Sequence, residues 1–261
     1  SLFTGIGGFD LAAEEIGWEN IFQCEIDEWS RKILKQNFPT VIQYGDIREV
    51  DFTIYRGRID VLTGGFPCQP HSKAGKKLGA KDERDLWYEC KRTISEIQPP
   101  FALFENVSAL LTTDGGRFFN RVLSDLAEIG YDAEWGCLPA SAFGAPHIRE
   151  RIWIVSYPCG DFSTFGLFDW DSKETTGRNK EKKIRGENRI EFEMGTTIYS
   201  GIRGNKEWLP EPEFPKLVDG LPDELAQIKG YGNAIVPKVA LEIFRPIDFV
   251  LRGRKKIINT V

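Results

Sequence analysis

The sequence predicts a doubly wound, mostly parallel α/β sheet that carries one small, irregular lobe. Three observations lead there. Short apolar runs alternate with longer amphipathic runs through the first 158 residues. Glycines separate the first apolar run from the first amphipathic one, and the composition changes abruptly after Pro158. Strand–helix alternation is what a parallel sheet covered on both faces requires.

Taken in order, Leu2-Phe3 reads as the end of a strand, followed by the turn Thr4-Gly5-Ile6-Gly7-Gly8 and a helix over 9–16. Residues 21–24 form a second strand, and Asp27 caps a helix whose apolar positions are Ile33, Leu34 and Phe38. A third strand covers 59–62 and is broken by Gly64-Gly65. Helical spacing of Leu86, Cys90, Ile94 and Ile97 marks 85–97, which Pro99-Pro100 ends. The uniformly apolar 101–104 has the character of a buried parallel strand. Leu123, Leu126 and Ile129 mark another helix, stopped by Gly130, and 151–157 alternates as a strand. Beyond Pro158, residues 161–213 are rich in Lys, Arg, Glu, Gly and Asn, with little periodicity. A solvated face and a nucleic-acid-contacting lobe are both open readings of that stretch. Helical patterning returns after Pro222, and 237–250 is expected to pack back on the first domain.

With 261 residues, 41% hydrophobic and 28% charged, the chain can build one sizeable core. No apolar run approaches the ~20 residues of a membrane span, and no cationic-then-apolar leader opens the sequence, so a cytoplasmic chain with no membrane partner is expected. Only two strand residues precede the glycine turn, fewer than the ~5 of a typical strand, so further residues are expected upstream. The net charge of −5 runs against the basic excess common in nucleic-acid binders, but local clustering of Lys and Arg matters more. Five scattered cysteines without a CxxC pair, and only two histidines, argue against a zinc site or a disulfide framework.

The glycine turn lets a ligand approach the backbone closely, although a purely structural turn explains it equally well. Its spacing is not GxGxxG, which favours a nucleoside over a pyrophosphate. Glu25 and Asp46 follow at strand ends, where an acid can grip ribose hydroxyls or simply cap a helix. The segment Gly64-Gly65-Phe66-Pro67-Cys68-Gln69-Pro70-His71-Ser72 is more specific. Prolines on both sides restrict the backbone around a thiol, and the neighbouring Lys73, Lys76 and Lys77 favour the nucleophilic thiolate.

Pro67-Cys68-Gln69 resembles the catalytic motif of the cytosine-5 DNA methyltransferases, and further motifs of that family follow in order. Phe3 to Gly8 resembles the cofactor-binding FxGxGG turn, Glu25 the ribose-binding acid, and Asp46-Ile47 the element that contacts adenine. Glu105-Asn106-Val107 resembles ENV, His147-Ile148-Arg149-Glu150-Arg151 resembles QxRxR with His in place of Gln, and Gly232-Asn233-Ala234-Ile235-Val236-Pro237 resembles the closing GN motif. Leu217-Val218-Asp219-Gly220-Leu221 stands where another family element is expected, without its arginine.

The resemblance implies a Rossmann-like methyltransferase fold with a catalytic domain over 1–158 plus 225–261 and a target-recognition domain over 159–224. It implies S-adenosylmethionine as cofactor, bound by Phe3, Gly5, Gly7, Gly8, Glu25, Asp46, Ile47, Gly65, Pro67, Leu86, Asn233 and Ala234. Cys68, Glu105, Arg149 and Arg151 would be catalytic: the thiolate adds to C6 of cytosine, Glu105 serves N3 and the amine, Arg151 positions Glu105, and Arg149 assists the base carbonyl. Gln69 and Ser72 would face the substrate, and the lysine-bearing loop from Ser72 to Lys81 would close over an extruded base. No metal is called for. The implied partner is duplex DNA, met by a monomer of bacterial or phage origin, with a cognate restriction endonuclease as a candidate. Cytosine in transfer RNA, or DNA binding without turnover, remain alternatives, whereas a dehydrogenase fails for want of GxGxxG.

Overall fold

The computed structural model describes residues 1–67, 86–160 and 234–258, with side chains to 253. Cys68, Gln69, Ser72, the loop from Ser72 to Lys81, most of the 159–224 lobe and Asn233 lie outside the described residues.

Among the described residues, six strands are present: β1 (Phe22–Cys24), β2 (Ile42–Tyr44), β3 (Val61–Gly64), β4 (Phe101–Val107), β5 (Tyr131–Pro139) and β6 (Glu150–Pro158). Five α-helices accompany them: α1 (Gly8–Glu15), α2 (Glu28–Asn37), α3 (Trp87–Ile97), α4 (Arg117–Glu128) and α5 (Pro237–Ile258). Leu2 bridges Cys24 on one side and Gly64 on the other, both in parallel, so it occupies a strand position between β1 and β3. The sheet then runs β2, β1, Leu2, β3, β4, β6, β5. β1–β2 and β3–β4 are parallel, whereas β6 is antiparallel to both β4 and β5. The expected doubly wound α/β sheet is present, with one strand reversed.

That reversal matters for the site. Because β6 runs against β4, its first residues lie at the carboxyl end of β4, with Arg151 paired to Val107. In open α/β sheets ligands bind at the carboxyl ends of strands. An antiparallel strand therefore adds residues at its own amino end to that edge.

Side chains of β4 alternate between two cores, as the period of two demands. Phe101 and Leu103 join α1, α5, Trp153 and Val155 on one face. Ala102 and Phe104 join α3, α4, Ile152 and Ile154 on the other. On the first face Phe9 meets Trp153 edge-on and Trp18 packs on Phe244, while the Trp18 indole N–H donates to Asp248 at 2.9 Å. On the second, Trp87 donates to Asp125 and Lys91 bridges Asp125 and Glu128, tying α3 to α4.

Some element bounds differ from the sequence expectation. β4 continues three residues beyond Phe104, and β3 begins at Val61 and includes Gly64. The strand β5 was not anticipated. Its burial is irregular along Tyr131–Pro139, with exposed Asp132 and Trp135, as suits an edge strand whose alternation is weak. Among the described residues no helix is long and apolar enough to cross a membrane, and no cluster of three or more His, Cys, Asp or Glu could hold a metal ion.

Candidate active site

The glycine turn connects the Leu2 strand position to α1. Phe3, Gly5 and Gly7 all have positive φ (49°, 58° and 93°). Gly7 is required on two grounds: its backbone is left-handed, and a Cβ would meet Phe38 at 2.6 Å. Gly8 is required by close approach, since a Cβ would meet the Ile235 carbonyl oxygen at 2.5 Å. At Gly5, by contrast, a Cβ would meet nothing within 4 Å, so the turn faces open space.

Glu25 follows β1 and faces this turn. Its carboxylate accepts the Gly5 N–H at 2.7 Å and the Asp27 N–H at 2.8 Å, one on each oxygen. Each oxygen retains lone-pair capacity for further donors. A carboxylate held by two backbone amides beside an open glycine turn suits a ligand with vicinal hydroxyls.

Asp46 ends the β2 connection and caps the following short helical turn through the Arg48 N–H. Its two oxygens also receive the Arg48 guanidinium at 2.9 and 2.5 Å, and that partner holds the carboxyl below its ordinary pKa. Ile47 is buried, and its carbonyl accepts from Arg92 at 2.7 Å. Arg92 is itself bracketed by Glu89 and Glu96 and also reaches the Val50 carbonyl. It fixes the 46–50 turn, a supporting role that its helical spacing with two acids only hints at.

Glu105 lies near the end of β4, on the α1/α5 face, and is 7% exposed. The Arg151 guanidinium stands 3.2 Å from it. Burial dominates and pushes the carboxyl up to about 7, although Arg151 and Arg149 oppose the rise. Such a group exchanges a proton near neutral pH. A Cβ on Gly65 would sit 3.8 Å from Glu105 and 3.5 Å from Ile235, so Gly65 keeps the floor beside the carboxyl open.

Arg149 adopts an unusual φ of 27° and donates to the Ala234 carbonyl at 2.7 Å. This arginine therefore ties the start of β6 to the segment before α5, a contact that sequence reasoning missed. Ala234 belongs to the same segment as Ile235, which wedges against Gly8 and Gly65. Leu86 packs partly buried at the head of α3, and Pro67 is exposed. The structure thus gathers Phe3, Gly5, Gly7, Gly8 and Glu25 at the glycine turn, with Glu105, Gly65, Arg151 and Arg149 along the same sheet edge. Asn106 is a further residue of note. Its amide donates to the Phe66 carbonyl at 2.8 Å, immediately upstream of Pro67 and Cys68.

The family model described as C-5 cytosine-specific DNA methylase matches residues 1–201. The type II methyltransferase M.Eco47II of Escherichia coli is 43% identical over 159 residues, covering 59% of this chain and 38% of that protein. The type II methyltransferase M.NgoBI of Neisseria gonorrhoeae is 41% identical over 157 residues, covering 60% and 49% respectively. The chain thus spans less than half the length of either relative. The crystal structure of S. pombe Dnmt2 methyltransferase superposes with a TM-score of 0.64 at 17% identity, over 96% of this chain and 98% of that one, a likeness of fold. By the match over most of its length, the chain belongs to the C-5 cytosine-specific DNA methylase family.

Proposed function

We propose that the protein transfers a methyl group from S-adenosylmethionine to C5 of a cytosine extruded from a specific duplex DNA sequence. The observation that carries this reading is Glu105: a buried carboxyl with a pKa near 7, beside Arg151, on the edge that also bears the glycine turn. The domain over 1–158 plus 225–261 would be catalytic and that over 159–224 would read the target. The chain would act as a monomer, with a cognate restriction endonuclease as its candidate partner.

The residues around the turn fit the cofactor. Glu25 offers a preorganised carboxylate for ribose hydroxyls, and the space above Gly5 is open. Phe3, Ile47, Leu86, Asn233 and Ala234 would complete its surroundings, with Asp46 reaching it at the expense of part of its Arg48 pairing. When bound, S-adenosylmethionine supplies an electrophilic methyl group.

The chain's own residues must make cytosine C5 nucleophilic. Cys68 thiolate attacks C6, forming a sulfur–carbon bond while the C5–C6 π pair moves toward C5. Glu105 gives or shares a proton at N3, so negative charge does not accumulate on the ring. Arg151 holds Glu105 in place, and Arg149 assists from the β6 start. After C5 has gained its methyl group, loss of the C5 proton returns the electron pair to the ring, and the sulfur–carbon bond breaks. Gln69 and Ser72 would line the path of the extruded base.

Duplex DNA containing 5-fluorocytosine tests this reading, because fluorine blocks the final elimination. Incubation with S-adenosylmethionine should give a denaturant-stable adduct that is lost in Cys68→Ala. No adduct across a broad pool of sequences, or one that persists in Cys68→Ala, would sink the mechanism. Adduct on transfer RNA alone would redirect it to an RNA substrate.

A further inference from the structure

We infer that Asn106 is a positioning residue that fixes where the chain departs toward Cys68 relative to Glu105. The inference rests on the roles proposed above for those two residues. Asn106 is 4% exposed, and both ends of its amide are engaged. Its Nδ2 donates to the Phe66 carbonyl at 2.8 Å, and its Oδ1 accepts the Val107 N–H at 2.9 Å. The second bond orients the amide so that the first can form.

Neighbouring residues of a strand point to opposite faces. Glu105 therefore serves the α1/α5 side while Asn106 serves the α3/α4 side, where Phe104 belongs. Phe66 lies there too, 2% exposed, its ring 5.2 Å from Trp87 and 6.1 Å from Phe104. One strand tip thus holds the carboxyl with one residue and the approach to the thiol with the next.

Only Pro67 separates Phe66 from Cys68. Two residues of chain span at most about 7 Å, and the proline ring removes freedom in φ. A carbonyl anchored at position 66 consequently fixes the point from which the chain continues. The chemistry of the anchor requires a donor. Asn106→Asp keeps the shape and sets a carboxylate oxygen against the Phe66 carbonyl, while Asn106→Ala removes the bond altogether.

Ser156 provides the matched comparison. It is fully buried and donates to the Ala102 carbonyl at 3.1 Å, the same kind of bond at the opposite end of β4. The test measures single-turnover adduct formation on 5-fluorocytosine DNA, together with dissociation constants for S-adenosylmethionine and for duplex DNA. Both Asn106 variants should slow adduct formation by about tenfold or more, given the sensitivity of bond formation to misplacement. Their two dissociation constants should stay within about threefold. Ser156→Ala should lower Tm comparably and keep the wild-type adduct rate.

Amide hydrogen exchange over 61–66 is read in parallel. It should quicken in the Asn106 variants and not in Ser156→Ala. Unchanged exchange there overturns the inference whatever the activity. Quicker exchange with an unchanged adduct rate overturns it as well, because the bond would then serve stability alone. If the wild-type chain forms no adduct, the functional reading falls, and the exchange comparison decides the Asn106 anchor by itself.

Discussion

The two halves of the sheet edge hold their acids in opposite ways. On the parallel half, Glu25 and Asp46 sit in hydrogen-bonding surroundings: backbone amides hold Glu25, and Arg48 keeps the Asp46 carboxyl low. On the half that contains the reversed β6, Glu105 is enclosed, and burial outweighs two nearby arginines. The difference teaches that position on a sheet edge does not set a carboxyl's task. Under the proposed function, the hydrogen-bonded Glu25 would grip the cofactor and the enclosed Glu105 would carry a proton.

Removing the proposed proton carrier should have the largest effect. Glu105→Gln is expected to slow adduct formation by roughly 100- to 10,000-fold, the usual range for a positioned acid. S-adenosylmethionine affinity should hardly move. Equal losses in both, measured by stopped reactions and calorimetry, would collapse the division between halves.

Glu25→Gln should show the reverse pattern. Loss of a charge-assisted contact is worth about 1.5–3 kcal/mol, or roughly tenfold to a hundredfold in cofactor affinity. The adduct rate at saturating cofactor should be preserved. Gly8→Ala belongs to the same half, because its methyl group would press on the Ile235 carbonyl. Strain and a shifted 234–236 segment should lower thermal stability by roughly 1–3 kcal/mol, read from denaturation midpoints.

The pH dependence of stability sharpens the contrast further. Folding raises the Glu105 pKa from 4.5 to about 7, so the folded state holds the extra proton between those values. Stability should therefore fall as pH rises from about 4.5 to 7, with the penalty complete above the upper value. Glu105→Gln should remove this slope and gain on the wild type at pH 8 relative to pH 5. An unaltered Tm-versus-pH curve would contradict it. The smallest effect is expected at Asp46→Asn. Its pairing with Arg48 is solvent-screened, so it should cost no more than ~0.5 kcal/mol and shrink in high salt.

Much of the catalytic half was legible because its signals are local. The glycine turn, the Asp27 cap with its 2.8 Å bond to the Ser30 N–H, and the apolar run of β4 each depend on neighbours in sequence. The order of strands does not. Nothing in 150–158 announces that β6 inserts between β4 and β5 and runs backwards, yet this places Arg151 beside Glu105. The partners of Arg149 and Asn106 were hidden for the same reason. One reaches Ala234, 85 residues away, and the other reaches Phe66, 40 residues away, and both bonds end on backbone carbonyls that any residue type supplies.

The packing of α5 on α1 bears on how the protein is made. Phe9, Ala12 and Ala13 find their cover in Val239, Ala240, Ile243, Phe244 and Leu251. During synthesis the first helix leaves the ribosome more than 220 residues before that cover exists, as the 230-residue separation of Trp18 and Asp248 illustrates. The nascent chain must carry that apolar face unsealed while the residues between α1 and α5 are made, a span on the order of ten to forty seconds at ~5–20 residues per second. One core can condense early around β3, β4 and α3, whereas the other is completed only by a late arrival. Chaperone dependence and aggregation under rapid expression are accordingly expected to track α1, and to ease when its apolar face is made less adhesive.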